Sequence, residues 1–159
     1  MKEISLTQGY IALIDDEDYE IVAQYKWYPR KHGKTCYAIT NIKNDFGKYK
    51  TVNLHHLIFG KKDGQIIDYI NGDGLDNRKE NLRFCSQSEN CNNRHNTWEK
   101  SKYKGVHWHP INNKWVARIQ VKKKRLPLGC YVSEKEAALA YNEAAIKYFG
   151  EFARLNEVE

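Results

Sequence analysis

Asp68, Tyr69, Asn81 and Asn90, with His55 and His56 upstream, are the residues of this chain best suited to chemistry. They fall in one stretch from Leu54 to Asn96, LHHLIFGKKDGQIIDYINGDGLDNRKENLRFCSQSENCNNRHN, in which Asn81 and Asn90 follow Tyr69 by 12 and 21 positions. Carboxylate and carboxamide oxygens suit a hard divalent cation such as Mg²⁺, which fills its other positions with water and phosphate. An imidazole near pKa ~6.5 is mostly free base at neutral pH, whereas a phenol near ~10 is ionised in roughly one molecule in a thousand.

The elements that must position these groups follow from local pattern. Residues 54–59 and 65–70 are predicted strands, with His55 and His56 on alternate faces of the first. Asn71-Gly72-Asp73-Gly74 is a strong turn signal. Asp76-Asn77-Arg78 opens a short helical turn containing Asn81. Ser86 with Glu89 forms a capping box, so a helix starts near Gln87 and carries Asn90 in its first turns. Upstream, residues 3–59 alternate as strands, most simply as two hairpins, with Trp27 and Tyr28 in the core. The turns fall at Gly33 and at Asn44-Asp45-Phe46-Gly47.

The string IDYINGDGLDNRKENLR and its spacing to Asn90 closely resemble the HNH nucleases, in their homing and phage branch. The resemblance implies a ββα-metal core over 50–95, with Asp68 and Asn90 as ligands of Mg²⁺ or Mn²⁺. It implies that Asn81 holds the loop by hydrogen bonds and that position 69 carries the general base. In that branch the motif opens Asp-His, and here the His is Tyr69. Losing a general base typically costs about 10²–10⁴-fold in rate. Three readings follow: the site is silent; Tyr69 acts itself as phenolate or nucleophile; or His55 or His56 reaches the water instead.

Bulk properties bound the rest. At 159 residues and 41% hydrophobic content, the chain makes one ordinary domain or two small ones. It has no run of 18 apolar residues, and Asp15, Asp16, Glu17 and Asp18 argue against a signal peptide. Cys36, Cys85, Cys91 and Cys130 form no CxxC pair and are expected as reduced thiols in a cytoplasm, prokaryotic or phage-infected. Cys85, Cys91 and His95 are the one grouping with zinc-ligand chemistry. The net charge of +6 places +8 in residues 101–133, which hold 8 Lys/Arg and no acid, and this block marks a polyanion-facing surface.

Beyond a polar linker at 92–101, residues 102–156 read as three short strands and a helix. Asn112-Asn113 and Lys122-Lys123-Lys124 turn the hairpins; a Ser133–Glu136 capping box opens the helix, and Gly150 stops it. Ala137, Ala138, Tyr141, Ala144, Ala145 and Tyr148 give it a small-residue face. Alternation turns Val106, Trp108, Trp115, Ala117, Ile119, Val121, Leu126 and Leu128 toward that helix. His107, His109, Lys114, Arg118, Gln120, Lys122 and Arg125 turn away.

YKGV, KWVARI, RLPLGCY, EKEAALAYNEAA and ARLN resemble the APETALA, or ethylene-response-factor, class of DNA-binding domain. Its contacting positions fall on Lys104, Gly105, His107, His109, Arg118, Gln120 and Arg125, with Lys114, Lys122 and Lys123 adding phosphate-binding charge. His107 and His109 stand where that family commonly has Arg, and Pro127 where it commonly has Trp or His.

The fold expected is therefore α+β. It has a β-rich HNH domain over 1–91 and a three-stranded antiparallel sheet packed on one helix over 102–156. The activity implied is a monomeric, metal-dependent endonuclease that nicks double-stranded DNA, positioned by its C-terminal domain. The alternative is a catalytically inactive DNA-binding protein derived from such a nuclease.

Overall fold

Trp27 is where the first part of the chain closes on itself. Its ring is 1% exposed, and its Nε1 donates to Val22 O at 2.9 Å. Ile4, Leu6, Ala12, Ile14, Val22, Ala38 and Leu54 complete that core. The computed structural model describes residues 1–33, 35–93 and 101–159, in two units, Met1–Gln87 and Ser88–Glu159.

In the first unit β1 (Lys2–Ser5) and β2 (Ile11–Ile14) form an antiparallel hairpin, and a short helix α1 (Tyr19–Val22) follows. Then β3 (Tyr28–His32), β4 (Thr35–Lys43) and β5 (Tyr49–Asn53) form one antiparallel sheet in that order. The two-hairpin expectation is thus corrected to a hairpin and a three-stranded meander. Tyr28, expected in the core, is 37% exposed, because its register partner Ile39 lies on the sheet face turned from the Trp27 cluster.

Residues 54–59 are not a strand. Leu54–Ile58 form helix α2. Leu54, Leu57 and Ile58 recur at helical spacing and pack on the Trp27 core, so this apolar pattern obeys a 3.6-residue period although strict alternation also fits it. The hairpin that carries Asp68 and Tyr69 pairs β6 (Ile66–Tyr69) with β7 (Leu82–Cys85), a strand that local pattern does not mark. A 3-10 turn at Lys79–Asn81 precedes β7, and helix α3 (Gln87–Asn92) follows it.

The second unit has the sheet expected. β8 (Val106–His109), β9 (Lys114–Val121) and β10 (Lys124–Tyr131) are antiparallel with β9 central. A register shift between Pro127 and Gly129 lets Leu126, Leu128 and Tyr131 all reach the core. Helix α4 (Glu134–Phe149) opens on the Ser133/Glu136 capping box and ends at Gly150. Ala137, Ala138, Tyr141, Ala144 and Ala145 are buried against the sheet. Tyr148 is 44% exposed and Phe149 packs in its place. Trp108, expected under the helix, is 36% exposed and meets Trp115 edge-on at 5.2 Å.

Gly105 fixes the approach of β8 to α4. Its φ is +76°, and an added Cβ would lie 2.1 Å from Tyr141 Cδ2 and 2.6 Å from Arg118 O. Left-handed backbone costs a side chain about 1–2 kcal/mol, and overpacking adds about 1–3. Gly105→Ala should therefore destabilise the second unit by about 2–5 kcal/mol in urea unfolding followed by circular dichroism; an unchanged midpoint would mean Tyr141 simply withdraws.

Candidate functional site

The turn between β6 and β7 is a closed polar network. Asn81 donates from Nδ2 to Asp76 O at 2.8 Å and to Asn71 Oδ1 at 3.0 Å, and its Oδ1 accepts from Asn71 N at 3.0 Å. Asn81 thereby ties Asn71 to Asp76 within the loop. Asp76, 3% exposed, accepts from Arg78 Nε and Nη2, both at 2.8 Å, and from Asn71 Nδ2 at 2.9 Å. The Arg78 guanidinium holds the Asp76 carboxyl below its usual range. β2 anchors the loop from outside: Leu13 N donates to Leu75 O and Asn77 N to Leu13 O, each at 2.8 Å. Asp15 Oδ2 accepts from Lys79 N at 2.8 Å. The N-terminal hairpin thus braces this loop.

Tyr69 is 6% exposed. Its hydroxyl lies 2.6 Å from His55 Nδ1 on α2 and 3.0 Å from Asn77 Oδ1. Asn77, fully buried, donates its own Nδ2 to Leu75 O at 2.9 Å, which orients Oδ1 toward the phenol. One set of donors uses each proton once: His55 Nδ1–H to Tyr69 O, Tyr69 O–H to Asn77 Oδ1, Asn77 N–H to Leu75 O. That assignment leaves His55 Nε2 with a lone pair to offer. Burial, then His56 and Lys61, depress His55 to about 3, so its imidazole is neutral. Burial pushes the Tyr69 phenol far above its usual value, with Tyr37 and nearby Asp73 and Asp76 adding to it. A phenol so raised is protonated at neutral pH.

His56, half-buried, is set the other way. Asn53 Nδ2 donates to its Nδ1 at 3.3 Å, so Nε2 carries the proton. Burial and Lys61 lower its pKa as well. The two rings are 4.3 Å apart, one presenting an acceptor and the other a donor. The expectation of alternate strand faces is corrected to consecutive positions on a helix. Tyr37 of β4 packs against both rings, its centroid 6.2 Å from that of His55 and 5.7 Å from that of Tyr69.

Asp68, 5% exposed, faces Arg83 across the β6–β7 ladder and accepts on Oδ2 from Nε at 3.0 Å and Nη2 at 2.8 Å. Asn90 is half-buried on α3, in the second unit. The Asp68 carboxylate and the Asn90 carboxamide each have the hard-oxygen chemistry that Mg²⁺ takes, and Arg83 already holds one Asp68 oxygen. Among the described residues no three or more His, Cys, Asp or Glu gather as a metal site. Cys85 is buried and Cys91 exposed, and His95, with most of the expected linker, lies outside the described residues. Tyr37, Asn77 and Arg83 are the site residues that sequence reasoning missed.

In the second unit, the register puts His107, His109, Lys114, Arg118, Gln120 and Arg125 on the sheet face turned from α4. His107 Nδ1 is buried there with no hydrogen-bond partner among the described residues. Lys122 and Lys123 form the hairpin tip with φ of 47° and 66°. Lys104 sits apart from that face: its Nζ donates to Asn92 O, and Asn156 clamps its backbone, Oδ1 accepting from N at 2.6 Å and Nδ2 donating to O at 3.1 Å. Burial and then Arg154 lower the Lys104 ammonium to about 8. Gly105 is committed to packing on Tyr141.

Residues 52–92 match the model of the HNH endonuclease family, and residues 101–151 match that of the AP2 domain. The chain is 30% identical over 162 residues to an uncharacterized HNH endonuclease of Acanthamoeba polyphaga mimivirus, covering 96% of this chain and 78% of that protein. Over 52 residues it is 50% identical to an AP2-like ethylene-responsive transcription factor of Arabidopsis thaliana, covering 31% of this chain and 15% of that protein. A second ethylene-responsive transcription factor of Arabidopsis thaliana is 48% identical over 58 residues, 35% of this chain and 14% of that protein. The chain belongs to the HNH endonuclease family and carries an AP2-type DNA-binding domain behind its nuclease domain.

The sign of the His55 shift sets an acid response. Its folded pKa of about 3 lies below the unfolded value near 6.5, so the unfolded chain binds this proton first. Stability from His55 is therefore complete above about pH 6.5 and falls as pH drops toward 3, by up to about 1.4 kcal/mol per pH unit. Urea midpoints from pH 7 to 4 should show this decline, and His55→Gln should flatten it; equal slopes in both proteins would contradict the buried neutral imidazole.

Proposed function

We propose that this chain is a metal-dependent DNA endonuclease that cuts one strand at a time, with His55 in place of the usual imidazole at position 69. The 2.6 Å contact between His55 Nδ1 and the Tyr69 hydroxyl carries the proposal. It supports a tautomer whose Nε2 accepts a proton from water. Tyr69 then acts as a positioning residue, fixing the ring through Nδ1 and passing the interaction to Asn77. His56, with its proton on Nε2, can donate to a phosphate oxygen. Asp68 and Asn90 are the residues that would hold the cation, and Arg83 would steady Asp68. The cation, when bound, offsets the charge building on the scissile phosphate and leaving oxygen.

One such site in a monomer acts on one strand, which makes nicking the expected product. The AP2-type sheet would supply position: Arg118, Gln120 and Arg125 would read base edges, and Lys114, Lys122 and Lys123 would hold phosphates. A homing or phage-type setting, and work on DNA in a cytoplasm, fit this combination of modules. A second reading rests on the buried, protonated phenol itself: where the family pattern has an imidazole, this chain has a group that does not ionise at neutral pH. On that reading the chain is a DNA-binding protein with a silent site.

Plasmid nicking with Mg²⁺ or Mn²⁺ separates the two. The unmodified chain should nick, Asp68→Ala should abolish the activity, and His55→Ala should lower it about 10²–10⁴-fold. Tyr69→Phe should cost less and shift the pH profile. Nicking by Tyr69→His alone would establish the silent-site reading, and full activity in His55→Ala would remove His55 from the mechanism. For the second unit, Arg118→Ala should lower specific DNA affinity by about 1–3 kcal/mol if it reads a base. Lys123→Ala should weaken all sequences alike and lower the slope of log affinity against log salt by about 0.9.

A further inference from the structure

The first unit has its own basic face. Residues 26–53 hold seven Lys/Arg against Asp45 alone. The charge balance of residues 1–100 hides this, because residues 1–25 hold six Asp/Glu against Lys2. The positive excess is therefore not confined to the second unit, as sums over large blocks of sequence suggest.

The sheet registers sort these residues. Tyr28 pairs with Ile39, Arg30 with Tyr37, and His32 with Thr35. Ile39 pairs with Asn53, Asn41 with Thr51, and Lys43 with Tyr49. Directly paired residues share a side, so all of these positions gather on one side of the β3–β4–β5 sheet; none is acidic, and Arg30 and Lys43 are its Lys/Arg, while Lys31 and Lys50 pair with Cys36 and Ile42 on the other side. Ala38 and Thr40, on the other side, are buried. The first side is open: Arg30, His32, Asn41, Lys43 and Thr51 are exposed, and Tyr49 is 73% exposed. Tyr28, Tyr49, Asn41 and Thr51, with Lys26, line an open groove of about 680 Å³ at one end.

This face runs into the His55–Tyr69 pocket. Tyr37 lies on it, directly across from Arg30, with its ring 5.7 Å from Tyr69 and 6.2 Å from His55. Asn53 lies on it too and hydrogen-bonds His56. From Tyr37 to Lys43 along β4 is roughly 20 Å at about 3.3 Å per residue. That length matches the axial rise of about six base pairs of duplex at ~3.4 Å each.

We propose that this sheet face is a third DNA-contacting surface, which grips the backbone of the duplex beside the cut. It rests on the reading of duplex DNA as the substrate. Arg30 and Lys43 meet phosphates, and Tyr28, Tyr49, Asn41 and Thr51 supply hydrogen bonds and flat contact surface. Tyr37 joins the grip to the imidazole pocket, so the strand that lies on the sheet is led toward His55.

The test uses the full chain and a 40-base-pair duplex of arbitrary sequence, with affinity measured at several KCl concentrations. The double variant Arg30→Ala, Lys43→Ala changes only exposed side chains, and an unchanged thermal melt confirms its fold. It should lower the slope of log affinity against log salt by about 1.8, at ~0.9 for each phosphate no longer neutralised. Affinity in low salt should drop at least about tenfold, and Tyr49→Ala should weaken binding without altering the slope. An unchanged slope with affinity within twofold of the unmodified chain would overturn the proposal, while Lys123→Ala still lowering the slope would leave the AP2-type interface intact. An unmodified chain whose duplex affinity ignores salt would overturn both this surface and the DNA-directed function above.

Discussion

Every buried polar group in the loop between β6 and β7 has to find a partner, and the rest of the first unit follows from that constraint. The loop buries Asp76, Asn77 and Asn81 almost completely. An unpaired buried donor or acceptor costs about 1–3 kcal/mol, so a few such failures would match the stability of a small domain. The loop meets the constraint internally through Asn71, Asp76, Arg78 and Asn81. It meets it externally through Leu13 and Asp15 of the N-terminal hairpin. The hairpin is consequently part of the site's scaffold, and its own core exists to present that edge.

The same accounting fixes protonation at Tyr69. A phenol has one proton, and here it lies between an imidazole and a carboxamide whose N–H is already committed to Leu75 O. The amide therefore sets the phenol and the phenol sets the imidazole. Desolvation keeps both rings neutral. A Tyr in this position does more than remove a base: it hands the tautomer of a neighbouring histidine to a buried asparagine. On the proposed function, the residue that departs from the family pattern would change which ring offers the lone pair.

Much of this was legible in the chain, and the failures have physical causes. The turn at Asn71–Gly74, the helix from Gln87, the three C-terminal strands and the capped α4 all rest on local chemistry, and all stand as expected. The α2 segment misled because Leu54, Leu57 and Ile58 fit a helical stripe while the surrounding residues fit alternation, and only packing on the Trp27 core decides. Tyr28 and Tyr148 are aromatic residues whose neighbours, Trp27 and Phe149, took the buried place. Asn77 and Tyr37 were unreadable for another reason. Their roles lie in contacts to Tyr69 from 8 and 32 positions away, and nothing in the flanking residues marks them.

Charge is where totals mislead most. A near-neutral sum over residues 1–100 conceals an acidic opening followed by a basic sheet. The acids have structural work: Asp15 caps Lys79 N, and Glu17 and Asp18 pair with the Lys79 ammonium. Those pairs satisfy one another at short range and contribute little field beyond about a Debye length of ~10 Å. Arg30 and Lys43 share their side of the sheet with no acidic residue among the described positions, so their field reaches solvent. Two basic surfaces on one polypeptide need not each bind tightly, since engagement of one raises the effective concentration of the other. On the proposals above, the AP2-type sheet would choose the site while the β3–β5 sheet would only have to hold the backbone within reach of the imidazole.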